Sequence, residues 1–140
     1  YAKKNSIPFV LINTKKKNYE NAVLYKLKEF KIDLICLAGF MKIISKNFFK
    51  IYKKKIINIH PSLLPKYKGL NTFEKVLKNK DTKTGCTIHY VNEKLDAGKV
   101  IVQKRFYVDR KDNIFTLKKK TQSLEYLAYP EAVIKIFRSC

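Results

Sequence analysis

The chain contains no tryptophan, four glycines, four prolines, three cysteines and two histidines, and no glycine precedes Gly39. Its longest apolar runs, such as IDLICLAGFM, fall well short of the roughly 18 to 20 residues that a membrane helix requires. No cleavable signal pattern opens it. The cysteines, Cys36, Cys86 and Cys140, form an odd set without C-x-x-C spacing, which argues against a disulfide framework and a zinc knuckle. A reducing compartment fits, and the expected location is cytoplasmic. Cys36 sits in an apolar run and reads as a small buried hydrophobe. With His60 and His89 as the only imidazoles and no H-x-x-x-H pattern, no metal site is expected.

Acidic residues are also scarce: 11 against 31 basic ones, a formal charge of +20. Such an excess can bind phosphates by counterion release. However, 28 of the basic residues are lysine and three arginine, spread along the chain, whereas bidentate recognition of bases and phosphates draws on arginine. The pattern reads as a solvated lysine surface whose field would steer small polyanionic substrates. It argues against a nucleic-acid partner.

What is present is a core. With 46% hydrophobic and 13% aromatic residues, residues 1–140 suffice for a single domain. The chain begins at Tyr1 without Met and reaches a strand-like PFVLIN almost at once. NYENAVLYKLKEF carries Ala22, Tyr25, Leu27 and Phe30 near helical spacing, and IDLICLAG is a strand-length apolar run closed by Gly39. SKNFFKIYKKK reads as a helix capped by Ser45, and IINIH as another buried strand. Strands alternating with helices predict a parallel sheet covered by helices. TFEKVLKNK reads as a short helix opened by Thr72, and TGCTIHYVNE and GKVIVQKRFYV as two longer strands. From Asn113 to Arg138 a helix is expected, with Leu117, Leu124, Leu127, Ala128, Ile134 and Phe137 at helical intervals and Pro130 kinking or dividing it.

Chemistry gathers in the stretch IINIHPSLLPKYKG. Asn58 and His60 are two residues apart, so on a strand both side chains leave one face. An amide can donate to a developing oxyanion and an imidazole can give or take a proton, the two needs of acyl transfer. Pro61 and Pro65 stiffen the loop beyond, and Gly69 lets it turn. Asp96, in the KLDAG turn beside Gly98, would favour the charged form of His60 if the two were close. Each of these also has a plain structural reading: a satisfied strand end, a rigid connection, a turn residue.

Four blocks carry a resemblance: LAGFMKIIS, INIHPSLLPKYKGLNTFEKVL, GCTIHYVNEKLDAGKVIVQ and QSLEYLAYP, in that order between about Lys16 and Phe137. Together they resemble the glycinamide ribonucleotide formyltransferases, folate-dependent enzymes of purine synthesis. NIHPSLLP marks the formyltransferase superfamily. KYKGLNTFEKVL is closer to the purine branch than to branches that formylate methionyl-tRNA or amino sugars, where Arg-Gly and Ala-Pro usually follow. The resemblance implies a Rossmann-like α/β formyltransferase fold with a largely parallel central sheet flanked by helices, and 10-formyltetrahydrofolate as formyl donor with no metal. It places the family's catalytic Asn, His and Asp on Asn58, His60 and Asp96: oxyanion stabiliser, proton donor, and the carboxylate that favours the charged imidazole and orders a water for proton transfer. Folate contacts fall on Lys16, Met41, Lys42, Ile43, Ile44 and Asn58, and contacts to glycinamide ribonucleotide on Gln122 and Glu125. His89 would support the site and Thr87 would shape its wall.

The pattern also departs from the family. Lys16 stands where Arg is common, so a folate carboxylate would meet a point charge instead of a fork. Asn71 stands where the purine enzymes often have His. The family's first strand and glycine-rich phosphate turn, and the end of its last helix, have no counterpart in the 140 residues. The expectation is a fragment holding the catalytic and folate half, with weak affinity for glycinamide ribonucleotide. Two alternatives stay open: a sister enzyme of the same fold, such as a formyltetrahydrofolate hydrolase or a formyltransferase for another amine, and a basic RNA-binding relic. Oligomeric state is not legible.

Overall fold

A computed structural model describes residues 2–138; Cys140 lies outside the described residues. After a single 3-10 turn at Lys3–Asn5 the elements are α1 (Tyr19–Glu29), β1 (Leu34–Leu37), α2 (Lys46–Ile51), β2 (Lys55–His60), α3 (Thr72–Lys78), β3 (Lys83–Tyr90), β4 (Val100–Tyr107) and α4 (Ile114–Arg138). The strands form one open sheet in the order β1-β2-β3-β4.

The α/β architecture is as expected, but the sheet is mixed. β1 and β2 are parallel, joined by the α2 crossover, while β2–β3 and β3–β4 are antiparallel. The direction reverses at β3, which returns against β2 after the 61–82 connection and α3; β4 follows through residues 91–99, which hold no helix, and so short a turn brings it back antiparallel to β3. PFVLIN does not join the sheet. Ile7, Phe9, Val10 and Leu11 are exposed, and no described strand pairs with them.

Each sheet face has its own apolar cluster. On one, Ile57, Cys86, Ile88 and Val102 pack against Ala128, Ala132 and Ile136 of α4. On the other, Ile35, Leu37 and Ile56 meet Phe48 and Tyr52 of α2 and its C-cap, with Val23, Leu24 and Leu27 of α1. The inward stripe of α1 is half-buried and keeps only Leu27 of the expected set, with Val23 and Leu24 beside it, leaving Ala22, Tyr25 and Phe30 exposed. In α4 the stripe is Leu117, Thr121, Ala128, Ala132 and Ile136, at helical spacing; Leu127, Ile134 and Phe137 face outward. Small alanines at its centre let the helix lie close on the sheet. Pro130 does not divide α4, which is continuous across it. Cys36, expected to be buried, is exposed on the sheet-edge strand β1, while Cys86 is buried.

Ser45 caps α2 as its sequence predicts, its Oγ accepting from the Phe48 amide at 3.1 Å. The same hydroxyl donates to Glu20 of α1, whose other carboxylate oxygen accepts from the Ser45 amide at 2.9 Å. One side chain thus closes a helix and ties it to its neighbour. Ser45→Ala should lower the unfolding free energy by about 1–2 kcal/mol. Ser45→Asp, normally an equivalent cap, should destabilise as well, because a second carboxylate would face Glu20; urea denaturation of both variants checks this.

Candidate functional site

The site lies where the parallel strands end. β1 stops at Leu37, and Gly39, with φ of +65°, turns the chain within the loop 38–45. β2 ends on Asn58 and His60, which share one face as the strand alternation requires. β3 runs antiparallel to it with Asn58 opposite His89 and His60 opposite Thr87, so two polar pairs stand side by side on the face that α1 and α2 cover further down.

Asp96 joins them from the 91–99 turn. Its φ of +44° is a left-handed conformation that Asp tolerates better than most residues. Its side chain is 9% exposed, and a buried carboxylate needs partners. Oδ2 accepts the Gly69 amide at 2.8 Å and lies 3.3 Å from His60 Nδ1; Oδ1 lies 3.6 Å from His89 Nε2. The Asp96–His60 proximity that sequence could only pose as a condition is thus present.

Both imidazoles are oriented by carbonyls. His60 Nε2 donates to the Tyr67 carbonyl at 2.8 Å, while its Nδ1 faces Asp96, so each ring nitrogen meets an acceptor. His89 Nδ1 donates to the Tyr90 carbonyl at 2.8 Å, which leaves Nε2 as the acceptor for Asn58 Nδ2 at 3.4 Å. One amide hydrogen of Asn58 remains for a ligand. Burial pushes the His89 pKa down, and the charge of His60 adds to this; the Tyr90 carbonyl and Asp96 oppose it without cancelling it.

The loop after His60 is latched. Thr87 Oγ1 donates to the Ser62 carbonyl at 2.6 Å and accepts from the Leu64 amide at 3.0 Å, and Gln103 Nε2 reaches both Thr87 Oγ1 and the Leu64 carbonyl. Thr87 is therefore a fastening more than a wall. Gln103 drew no notice in sequence, although a glutamine among the apolar residues of VIVQ was the available signal.

These groups line a cleft of about 610 Å³, bounded by loop 38–43, Asn58 to Pro61, Gly69 to Glu74, Leu95, Asp96 and, from α4, Ile114, Lys118 and Glu125. A narrower recess of about 70 Å³ adjoins it, lined by Leu37, Phe40, Ile43, Ile44, Asn58, His89 and Val91 among others. Met41 and Ile43 are 73% and 75% exposed, an uncovered apolar wall suited to a flat ligand. Lys42 and Ile44 line these spaces too, and Lys42 Nζ donates to the Thr14 carbonyl at 2.7 Å, tying the loop to the segment that bears Lys16. Lys16 itself is not among the lining residues. Glu125 is at the cleft with its pKa raised by burial, whereas Gln122 is exposed and outside it. Asn71 is at the cleft, at the N-cap of α3 with φ +59°. Among the described residues no group of His, Cys, Asp or Glu is arranged to hold a metal ion, and no helix is long and apolar enough to cross a membrane.

The ends of β2 and β3 and the 91–99 turn of an open α/β sheet thus bring together an amide, two imidazoles and a carboxylate, groups able to donate to a developing charge and to give or take a proton. The sequence matches the family described as Formyl transferase over residues 1–133, and the chain belongs to that family. It is 41% identical over 136 residues to the human trifunctional purine biosynthetic protein adenosine-3, covering 94% of this chain and 14% of that protein. It is 41% identical over 128 residues to the phosphoribosylglycinamide formyltransferase of Haemophilus influenzae, covering 87% of this chain and 60% of that one. Among solved structures, the phosphoribosylglycinamide formyltransferase of Streptococcus pneumoniae superposes with a TM-score of 0.91 at 34% identity, over 97% of this chain and 78% of its own. That of Anaplasma phagocytophilum gives 0.88 at 41%, over 94% and 64%.

Two outcomes test the geometry. A Cβ on Gly98 would meet the Tyr90 carbonyl oxygen at 1.7 Å, so Gly98→Ala must displace the turn that holds Asp96. It should cost roughly 1–3 kcal/mol in urea unfolding. Because the folded pKa of His89 lies below its ordinary value of 6.5, the unfolded chain binds that proton where the folded chain does not. Stability therefore falls as pH drops through that value. The loss between pH 7.5 and 5.5 should be smaller in His89→Asn than in the parent.

Proposed function

We propose that this site transfers the formyl group of 10-formyltetrahydrofolate to the amine of glycinamide ribonucleotide. The observation that carries the proposal is the convergence of Asn58, His60 and Asp96 at the mouth of an apolar cleft. The names of the relatives, phosphoribosylglycinamide formyltransferase among them, support the choice of amine.

The reaction makes one C–N bond between the attacking amine and the formyl carbon, breaks the bond between that carbon and the folate nitrogen, and moves one proton from the first nitrogen to the second. The formyl oxygen gains charge in between. Asn58 would meet that charge with the amide hydrogen not given to His89, a donor already aimed and therefore needing no reorganisation. His60 would supply the proton to the departing nitrogen from Nδ1, since its Nε2 hydrogen is committed to the Tyr67 carbonyl. Asp96, 3.3 Å from Nδ1, would hold the ring in that orientation and accept, through a water, the proton shed by the amine. The exposed apolar wall of Met41 and Ile43 and the adjoining recess suit the flat pterin of the donor, with backbone groups of residues 41–44 reading its edge. Lys16 and Lys42 are the cations near which a folate carboxylate would lie. Glu125 and Gln122 would meet the ribonucleotide, with Glu125 alone already at the cleft. No side chain need form a covalent bond to the formyl group.

His60→Ala and Asn58→Ala should each lower kcat by about 10²- to 10³-fold while leaving the circular dichroism spectrum unchanged. Formation of tetrahydrofolate should be faster with glycinamide ribonucleotide than with another primary amine or with water alone. Equal rates with all three would sink the assignment of the acceptor.

A further inference from the structure

The orientation of His60 depends on a carbonyl held in an unfavourable conformation. Tyr67, whose carbonyl oxygen accepts from Nε2 at 2.8 Å, has φ of +56°, a left-handed geometry that bulky residues avoid. The sequence offers no glycine there. Something outside the cleft must keep the residue in place, and the side chain of Tyr67 shows what does. Its hydroxyl accepts from Asn79 Nδ2 at 2.7 Å. Asn79 is the C-cap of α3, and the turn that follows folds back on the helix: the Lys80 amide bonds the Leu77 carbonyl and the Asp81 amide bonds the Val76 carbonyl, both at 3.1 Å. Asp81, on that turn, receives Lys66 Nζ at 2.9 Å. The Lys66 carbonyl is in turn held by Ser62 Oγ at 2.5 Å. Loop residues 66 and 67 are thus gripped from the far end of α3. None of Lys66, Tyr67, Asn79 or Asp81 lines the cleft.

We infer that Tyr67, Asn79 and Asp81 form a clamp of positioning residues that sets the orientation of His60 through the Tyr67 carbonyl. If the phenol is released, the loop loses its hold on a disfavoured φ, the carbonyl withdraws, and Nε2 loses the acceptor that aims Nδ1 at Asp96. The effect reaches Asp96 by a second path, since the Gly69 amide that bonds its Oδ2 lies two residues further along the same loop. Asp81 acts through Lys66, whose ammonium meets Oδ1, while its Oδ2 is buried without a hydrogen-bond partner; burial pushes its pKa up, but the neighbouring Tyr67 phenol and the Lys66 ammonium outweigh this and leave it below the usual carboxylate range. The clamp's catalytic meaning rests on the function proposed above; its structural meaning does not.

The test reads His60 directly. In the full chain labelled with ¹⁵N-histidine, and with the His60 ring assigned by its loss in His60→Gln, the Nε2 chemical shift and the exchange of its hydrogen with water are measured. Tyr67→Phe, Asn79→Ala and Asp81→Asn should each shift the Nε2 resonance and speed that exchange, while the His89 Nδ1 signal stays put. Formyl transfer by Tyr67→Phe should lose about three- to tenfold in kcat with KM unchanged. An unmoved His60 signal in Tyr67→Phe, with only the melting temperature lowered, would overturn the inference. If the His60 signal moves but neither parent nor variant transfers formyl, the clamp stands and the proposed function fails.

Discussion

A carboxylate taken almost wholly out of water is the constraint on which this site is built. Asp96 is 9% exposed, and an isolated charge at that depth would be too costly to keep. It is tolerated because the backbone amide of Gly69 donates to it and Nδ1 of His60 faces it. Those partners come from the loop after β2 and from β2 itself, while Asp96 belongs to the turn after β3. Burial of one charge therefore ties together segments far apart in sequence, and leaves them arranged around the end of the parallel pair.

The two histidines on either side of Asp96 are alike in sequence yet differ in environment. His89 is opposite Asn58 in the sheet, gives one ring hydrogen to its neighbour's carbonyl and is held neutral by burial. It thereby fixes which way the Asn58 amide points. His60, two residues beyond Asn58, faces acceptors on both nitrogens. A passive acceptor and a candidate proton donor are made from the same side chain by the partners given to each ring nitrogen.

Support for this arrangement comes from outside the cleft. The loop 61–71 is pinned on one side by Thr87 and Gln103 of the antiparallel strands and on the other by the turn after α3. The strands β3 and β4, which make the sheet mixed, are thus also what hold the loop in register with His60. A purely parallel sheet read from the first half of the chain would have had no place for that latch.

Much of this was legible in the chain. Spacing placed Asn58 and His60 on one strand face, Ser45 at the head of α2, Gly39 just past β1, and each of the α-helices and strands observed, while reading a strand into PFVLIN that does not form and missing the 3-10 turn, because these depend on local periodicity and on single-residue conformational preferences. Resemblance of four sequence blocks pointed to Asp96. What the sequence did not disclose depends on pairing across the fold. Strand direction after His60, exposure of Cys36 and the inward stripes of α1 and α4 follow from which surfaces meet, and that is decided by packing of the whole core. So is the tie from Tyr67 to His60, a backbone carbonyl whose aim no side-chain pattern can encode. The sequence by itself determined which groups could do the chemistry; only the tertiary structure decided which of them face each other, because hydrogen-bond partners and burial are properties of contacts between distant residues.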